Sequence, residues 1–258
     1  MSKKRVATHN GVFHADEITA IVLLKLFTQD EIVVTRLPHN HKDFSQFDIV
    51  IDMAKKYDGI KFFDHHQNKG GASSAGLIWK ALAQEKNYPT ISKLISQVDK
   101  HDTGEQLSKE FEYANLIKYM NAVNIYSKEQ QIQFEKALFF AQEILKALKQ
   151  KEELLHKARK TLQQSSLFEN MQGVVFLEEF VVFWQEVIEE FSSLKALAWY
   201  DKEQHNYKIR LTPKMVQKQP LHSSVFMEFV HPSGHFGVAK NKAALRRYLE
   251  EYFKGNKI

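Results

Sequence analysis

Two histidines and an aspartate, residue types that can bind a metal ion, lie close together near the start of the chain. His9, His14 and Asp16 fall within the segment 8–17, which reads THNGVFHADE. An apolar run precedes this segment and a helical pattern follows it, so we expect a strand-to-helix turn in which Gly11 lets the backbone bend sharply. Loops at the carboxyl ends of strands in open α/β sheets converge on one crevice. The three side chains are candidate ligands, although loop histidines and a helix-capping aspartate would give the same pattern.

Acidic and histidine side chains recur after two later apolar runs. Asp52 ends the first run, where its carboxylate would face the same crevice, although aspartate is also a common turn residue. Asp64, His65 and His66 end the second run. Neighbouring side chains of a strand point to opposite faces, but at a strand end the chain can turn both imidazoles inward. One histidine could then bind a metal ion while the other donates to a phosphate.

A fourth candidate stretch reads VDKHDTG and contains Asp99 and Asp102. Residues three apart on a helix share a face, so both carboxylates could point toward the same ion. Surface helices contain many such pairs, and the residues alone do not decide which aspartate is a ligand.

The composition limits the chemistry of any metal site. The chain of 258 residues has no cysteine, which excludes disulfides, thiolate zinc sites, iron–sulfur clusters and cysteine nucleophiles. Histidine and carboxylate ligands suit Mn²⁺, Mg²⁺, Fe²⁺ or a mixed zinc site. The formal net charge of +5 fits an anionic partner such as nucleic acid or a nucleotide, and fits an ordinary solvated surface equally well.

The first hundred residues alternate short apolar runs with helical patterns. Strands are predicted at 31–37, 48–53 and 60–63, a helix at 16–27, and a second helix that begins at Ser73 or Ser74. Such alternation predicts an α/β fold with a mainly parallel sheet and flanking helices.

The rest of the chain has two parts. Residues 90–164 are helical by pattern, and the apolar stripe of 128–164 predicts a packing face. Strands at 173–177, 194–200 and 207–211, with helices at 181–191 and 241–253, predict a smaller α/β C-terminal domain. We therefore expect a catalytic domain at 1–125, a helical connector at 126–168 and a C-terminal domain at 169–258.

No apolar run approaches the roughly 20 residues that cross a bilayer. The basic N-terminus is followed by a segment too short and polar for a signal peptide. These features predict a cytoplasmic protein without membrane contact, and they leave the oligomeric state open, a homodimer included.

The order of these motifs resembles the DHH phosphoesterase superfamily. The resemblance is closer to one divergent branch, the melanocyte-proliferating-gene family. It covers residues 5–104 and is carried by THNGVFHADE, by DIVID ending at Asp52, by FDHHQ around His65, and by SSAGLIW after Gly71.

The resemblance implies a role for each candidate. His9, His14 and Asp16 match the first motif, in which most of the superfamily has aspartate where this chain and its branch have His14. The other implied roles are a bridging carboxylate for Asp52, a metal ligand for His65, a contact to the scissile phosphate for His66, participation in catalysis for Asp64, and a fourth-motif ligand for Asp102, with Asp99 as the alternative.

The resemblance also extends to the C-terminal region, because DHH enzymes carry a second domain with a Gly-His-rich substrate loop. The segment 231–237, HPSGHFG, is similar to a diverged form of that loop. The implied substrate-binding residues are His231, Gly234, His235 and Lys240, and Arg210 could hold a second phosphate through its guanidinium group. Arg210 is as readily an ordinary strand residue, and we interpret His39 and His41 as a surface loop.

The implied chemistry is phosphodiester hydrolysis. Two divalent ions roughly 3.5–4 Å apart, most simply Mn²⁺, would activate a water molecule and clamp the phosphoryl oxygens. The family resemblance predicts a 3′–5′ exonuclease that acts on RNA or short oligonucleotides. The alternatives are a phosphatase for a small nucleotide or polyphosphate, and a metal-stabilised nucleic-acid-binding protein without turnover.

Overall fold

Four parallel strands form the sheet of the N-terminal region, in the order β2-β1-β3-β4. They are β1 (Lys3–His9), β2 (Glu31–Leu37), β3 (Ile49–Ile51) and β4 (Phe62–Phe63). The last four residues of the central strand β1 are buried, and these include Thr8 and His9. The prediction of a parallel sheet is therefore confirmed for this region, and β1 delivers a histidine to its carboxyl end.

Five helices belong to this part of the chain: α1 (Ala15–Phe27), α2 (Ser74–Leu82), α3 (Pro89–Asp102), α4 (Tyr113–Lys118) and α5 (Lys128–Gln164). Residues Ala15 to Leu24 of α1 are all buried. A helix that is apolar on every side has to be covered on every side, and α1 packs against α2, α3 and α4. Its first turn, which carries Asp16 and Glu17, is consequently held inside the protein.

The C-terminal region contains a mixed sheet in the order β5-β6-β7-β9-β8. Its strands are β5 (Val174–Leu177), β6 (Ala196–Asp201), β7 (Asn206–Leu211), β8 (Phe229–Val230) and β9 (Phe236–Ala239). Only β5 and β6 pair in parallel among these strands. The helices are α6 (Trp184–Val187), α7 (Pro213–Lys218) and α8 (Lys242–Lys254). The α8 side chains Leu245, Tyr248, Leu249 and Tyr252 complete the core of this sheet.

This structure is a computed structural model that describes residues 2–67 and 70–254. The chain divides into two compact units, Met1–Glu152 and Glu153–Ile258, and the division falls inside α5. Within the described ranges, none of the helices has the length and apolar character needed to cross a membrane.

The prediction of a helix at 181–191 was wrong in its extent. The regular helix covers only Trp184–Val187 and continues as a 3₁₀ turn, Ile188–Glu190, while Phe183 before it has a left-handed backbone with φ of 59°. Val181, Trp184 and Val187 are nevertheless buried against Leu155 of α5. An apolar spacing of three residues buries side chains in irregular backbone as well as in a helix, and the pattern does not distinguish the two.

The strands β8 and β9 were also missed, since the segment around Gly234 and Gly237 was interpreted as a loop. Gly237 lies within β9, where a Cβ atom would approach Met227 Cε to 2.5 Å. Gly234 forms the turn between β8 and β9 with φ of 66°, and a Cβ there would lie 2.4 Å from Pro220 Cβ. Close packing therefore requires glycine at 234, whereas the contact at 237 is with the flexible end of a methionine side chain.

We expect Gly234→Ala to destabilise the C-terminal unit by about 3 kcal/mol, because strain at positive φ adds to a steric clash. Gly104→Ala is the matched control, since Gly104 also has positive φ but no atom within 4 Å of its Cβ position. That variant should lose only about 1 kcal/mol. Urea denaturation followed by tryptophan fluorescence measures both, and equal losses would contradict the packing role of Gly234.

Candidate metal centre

Histidine and carboxylate side chains from several segments of the N-terminal unit converge in three groups. Within each group, the potential ligand atoms lie within 4.8 Å of one another. The groups are His9, His14, Glu17 and Asp52; Asp52, Asp64, His65 and His66; and Asp16, His65 and Asp102. Asp52 is common to the first two groups and His65 to the last two. The predicted motifs thus come together, with Asp52 between the histidines of the first and third motifs.

The first motif is positioned by the end of β1 and the start of α1. His9 ends β1, and its Nε2 lies 3.1 Å from Asp52 Oδ2 and 3.4 Å from Glu17 Oε1. Glu17 accepts hydrogen bonds from the backbone N–H of His14 at 2.9 and 3.0 Å, which fixes the residue before the helix. Asp16 and Glu17 occupy the first turn of α1, where the helix dipole favours negative charge.

Three side chains hold the loop between β1 and α1. The Arg36 guanidinium donates to the carbonyl oxygen of Gly11 at 2.7 Å, and Gln130 Nε2 donates to the same oxygen at 2.7 Å. Asn121 accepts from the N–H of Phe13 and donates to its carbonyl oxygen, at 2.9 Å in each case. The loop is therefore fixed from outside before any ligand binds.

Asp52 leaves β3 with a left-handed backbone, φ of 54°, and Ala54 and Lys55 nearby also have positive φ. Non-glycine residues adopt this conformation at a cost of about 1–3 kcal/mol each, and such strain concentrates at functional sites. The Asp52 N–H donates to the Phe63 carbonyl, and Ser74 Oγ donates to Asp52 Oδ1 at 3.2 Å. These contacts hold the carboxylate between the two histidine motifs.

Asp64 orients His66 instead of facing the solvent. The carboxylate is 1% exposed, accepts from the His66 N–H at 2.9 Å and lies 2.8 Å from His66 Nδ1. Its other oxygen accepts from the Lys55 N–H at 2.6 Å. The imidazoles of His65 and His66 stack with centroids 4.4 Å apart. Asp64 thus holds His66 Nδ1, while the half-exposed ring of His66 lines the cavity.

The structure separates the two aspartates of the fourth stretch. Asp102 Oδ2 lies 2.9 Å from His65 Nε2 and belongs to the third group. Asp99 instead accepts from Ser73 N–H at 2.9 Å and Ser73 Oγ at 2.6 Å, at the start of α2. Burial, the largest effect, raises the pKa of Asp99. Gly76 permits this approach, because a Cβ there would lie 2.5 Å from Asp99 Oδ2. Asp99 thus caps a helix, and Asp102 is the better ligand candidate.

The buried carboxylates of the centre favour a bound cation. Burial, together with the charges of Asp52, Glu17 and Asp102, raises the pKa of Asp16 well above its usual value. Neither carboxylate oxygen of Asp16 has a hydrogen-bond partner among the described residues. Burial lowers the pKa of His9, but the hydrogen bond to Asp52 and the charge of Glu17 outweigh it and raise the pKa to about 9. A buried carboxylate without a partner is costly, and a divalent cation would satisfy it.

The centre opens into a cavity of about 1030 Å³, whose lining residues all belong to the N-terminal unit. His39 lines it and stacks on His9, with centroids 4.6 Å apart and an interplanar angle of 20°. The interpretation of His39 and His41 as plain surface loop missed this placement, since both line the cavity. Glu17 was also missed as a ligand candidate. Its position next to Asp16, in the first turn of the predicted helix, could have indicated that Glu17 is a candidate ligand.

The candidate substrate residues of the C-terminal unit form a second histidine cluster. Ser233 Oγ lies 2.9 Å from His231 Nδ1 and 2.5 Å from His235 Nδ1. Burial and the charges of His231 and Arg210 lower the pKa of His235. Arg210 of β7 lies opposite Phe236 of β9 in the antiparallel strand pair. Its buried Nε has no hydrogen-bond partner among the described residues. Lys240 directly follows β9, and Gly234 has the packing role described above.

The N-terminal region is similar in sequence to known proteins. Residues 5–91 match a family model described as an uncharacterised protein family, UPF0160, also called MYG1_exonuc. The MYG1 protein of Saccharomyces cerevisiae is 34% identical over 118 residues, 42% of this chain and 35% of that protein. The MYG1 protein of Chlamydia muridarum is 34% identical over 162 residues, 57% of this chain and 55% of that protein.

A human relative is called MYG1 exonuclease and is 42% identical over 108 residues, 33% of this chain and 28% of that protein. The chain therefore spans about half or less of the length of the curated relatives described above. The matched region contains the first three motifs, up to His66, together with α2 and the first residues of α3. The N-terminal region of this chain, residues 5–91, is therefore similar to the MYG1 proteins.

Proposed function

We propose that the N-terminal unit is a metal-dependent phosphodiesterase of the DHH type that removes nucleotides from the 3′ end of RNA or short oligonucleotides. The observation that carries the proposal is Asp16, a fully buried carboxylate with no hydrogen-bond partner among the described residues, surrounded by His65, Asp52 and Asp102. The exonuclease name of mammalian relatives supports the choice of reaction.

The groups divide into two proposed ion sites. His9, His14, Glu17 and Asp52 would hold one ion, and Asp16, His65 and Asp102 would hold the other. Asp52 lies between the two, since its Oδ2 contacts His9 and its Oδ1 is 3.6 Å from His65 Nδ1. Imidazole and carboxylate ligands suit Mn²⁺. Such ions lower the pKa of bound water, supply hydroxide near neutral pH and neutralise phosphoryl charge.

His66 is the proposed catalytic residue that contacts the substrate. Asp64 bonds its backbone N–H and its Nδ1, which fixes the ring and leaves Nε2 as the free nitrogen. A proton on Nε2 can be donated to a phosphoryl oxygen or to the leaving oxygen. Asp64 acts through His66 and is a positioning residue. In the C-terminal unit, Arg210, His231, Gly234, His235 and Lys240 remain proposed substrate-binding residues.

The activity is tested with 5′-labelled RNA and short oligonucleotides in the presence of Mn²⁺. Wild-type protein should release mononucleotides stepwise from the 3′ end, and EDTA should stop the reaction. Intact substrate under these conditions, with protein that has bound metal, would refute the proposal.

His66→Ala should lower kcat by about 10²–10⁴, because a positioned proton donor is lost. His156→Ala is the matched control, since His156 lies exposed on α5 and does not line the cavity. Steady-state kinetics on the same oligonucleotide distinguish the two variants. A His66→Ala enzyme with undiminished kcat would remove His66 from the mechanism.

Asp16→Asn separates metal binding from folding. In EDTA this variant should be at least as stable as wild type, because it removes a buried charge that repels Asp52 and Asp102. Mn²⁺ should raise the melting temperature of wild type by several degrees, since ligand binding to the native state stabilises it. It should raise that of Asp16→Asn by clearly less, because one of the two proposed ion sites loses a ligand. Equal Mn²⁺ stabilisation of both proteins by thermal denaturation would contradict the ligand role of Asp16.

A further inference from the structure

Three lysines line the cavity without taking part in the metal groups. They are Lys42, Lys55 and Lys118, and we call them the basic rim. All three are exposed, and none lies within ion-pair distance of an acidic side chain among the described residues. Other exposed lysines of this unit, such as Lys80 and Lys93, also have no such partner among the described residues, so the distinguishing feature of the basic rim is its position on the cavity. The basic rim therefore presents positive charge that the protein leaves unmatched.

The basic rim adds three positive charges to the cavity. Four aspartates line the cavity, namely Asp16, Asp52, Asp64 and Asp102, and two divalent ions would balance them. The three ammonium groups of the basic rim remain beyond that balance. A scissile phosphodiester brings a single negative charge. Three ammonium groups at separate positions on the cavity wall favour a substrate that places further phosphates beside the scissile one.

The segment that carries Lys55 is fixed to the residue that orients His66. The Lys55 N–H donates to Asp64 Oδ2 at 2.6 Å, and Lys55 has a left-handed backbone with φ of 50°. The opposite oxygen of Asp64 holds His66. The backbone positions of Lys55 and His66 are thus coupled through one buried carboxylate.

Lys118 and Lys42 are tied to the first motif. The Lys118 carbonyl accepts from Asn121 Nδ2 at 3.0 Å, and Asn121 also bonds both backbone groups of Phe13. Lys42 follows His39, whose ring stacks on His9. Lys55 and Lys118 therefore lie on backbone that contacts Asp64 or Asn121, and Lys42 lies three residues after His39, so all three are close to the metal centre or to the loop before α1.

We propose that the basic rim binds phosphates that neighbour the scissile phosphodiester, so that the site takes a nucleotide chain with at least two phosphates inside the cavity. This inference rests on the proposed function and adds the substrate's phosphate count to it. The volume of about 1030 Å³ supports it, since small-molecule sites span roughly 300–1,000 Å³. Lysine contacts to phosphate contribute affinity that is independent of base identity and weakens with salt.

The test compares two dinucleotides with Mn²⁺-loaded protein, one with a single internal phosphodiester and one that also carries a 5′-phosphate. Wild type should have a KM lower by about tenfold or more for the 5′-phosphorylated dinucleotide, and added salt should erode the difference. The variant Lys42→Gln, Lys55→Gln, Lys118→Gln should lose this preference. The variant Lys118→Gln alone should lose part of it, which keeps the test decisive if the triple variant unfolds.

The matched control is Lys80→Gln, Lys86→Gln, Lys93→Gln, which removes the same charge from exposed positions of the same unit that do not line the cavity. It should keep the wild-type preference. Wild type that does not distinguish the two dinucleotides overturns the inference, as does an equal loss in rim and control variants. Hydrolysis of either dinucleotide would leave the proposed function standing in those cases.

If neither dinucleotide is hydrolysed, the proposed function fails and equilibrium binding of the same pair still decides the inference. Tighter binding of the 5′-phosphorylated dinucleotide by wild type and the control variant, lost in the rim variant, supports the basic rim as a phosphate site. Equal binding of both dinucleotides by wild type rejects it.

Discussion

The repulsion between buried carboxylates is the constraint on which the rest of the N-terminal unit depends. Asp16, Glu17 and Asp52 are each almost fully buried, and their charges disfavour one another. Nothing in the described residues satisfies Asp16 by hydrogen bonding. A protein keeps such an arrangement at a cost in stability, and that cost is understandable if cations bind there and reverse the sign of the interaction.

The surrounding structure holds the repelling groups in place. Parallel strands deliver His9 and Asp52 to one end of the sheet, and the buried helix α1 brings Asp16 from behind. Arg36, Asn121 and Gln130 fix the loop of the first motif from positions that do not contact the carboxylates. Preorganisation of this kind means that a substrate or an ion meets ligands already in position, with little conformational entropy left to lose.

The sequence predicted the parts of this arrangement that depend on local pattern. Strand ends carry the motifs, so Asp52 and His65 were found together with the sheet that positions them. The choice between Asp99 and Asp102 could not be made, because both share a helix face and only the packing of α2, through Ser73 and Gly76, turns Asp99 away from the other ligands. The match of residues 5–91 to the MYG1_exonuc family model agrees with the resemblance carried by those motifs.

The residues that escaped prediction are those whose role arises from tertiary contacts. His39 follows a strand in a polar stretch that reads as a loop, and only the fold stacks it on His9. Gly234 was assigned to substrate binding from its neighbours in sequence, whereas contact with Pro220 gives it a structural reason. Short strands such as β8 and β9, which include or adjoin glycines, leave no alternating pattern long enough to recognise.

The central claim is that two cations bind between these side chains. Crystals grown with Mn²⁺ and measured near the manganese absorption edge give an anomalous difference map that tests it directly. We expect two peaks, one beside His9, His14 and Asp52 and the other beside Asp16, His65 and Asp102. A map without peaks among these side chains, at a Mn²⁺ concentration that saturates binding in solution, would contradict the account.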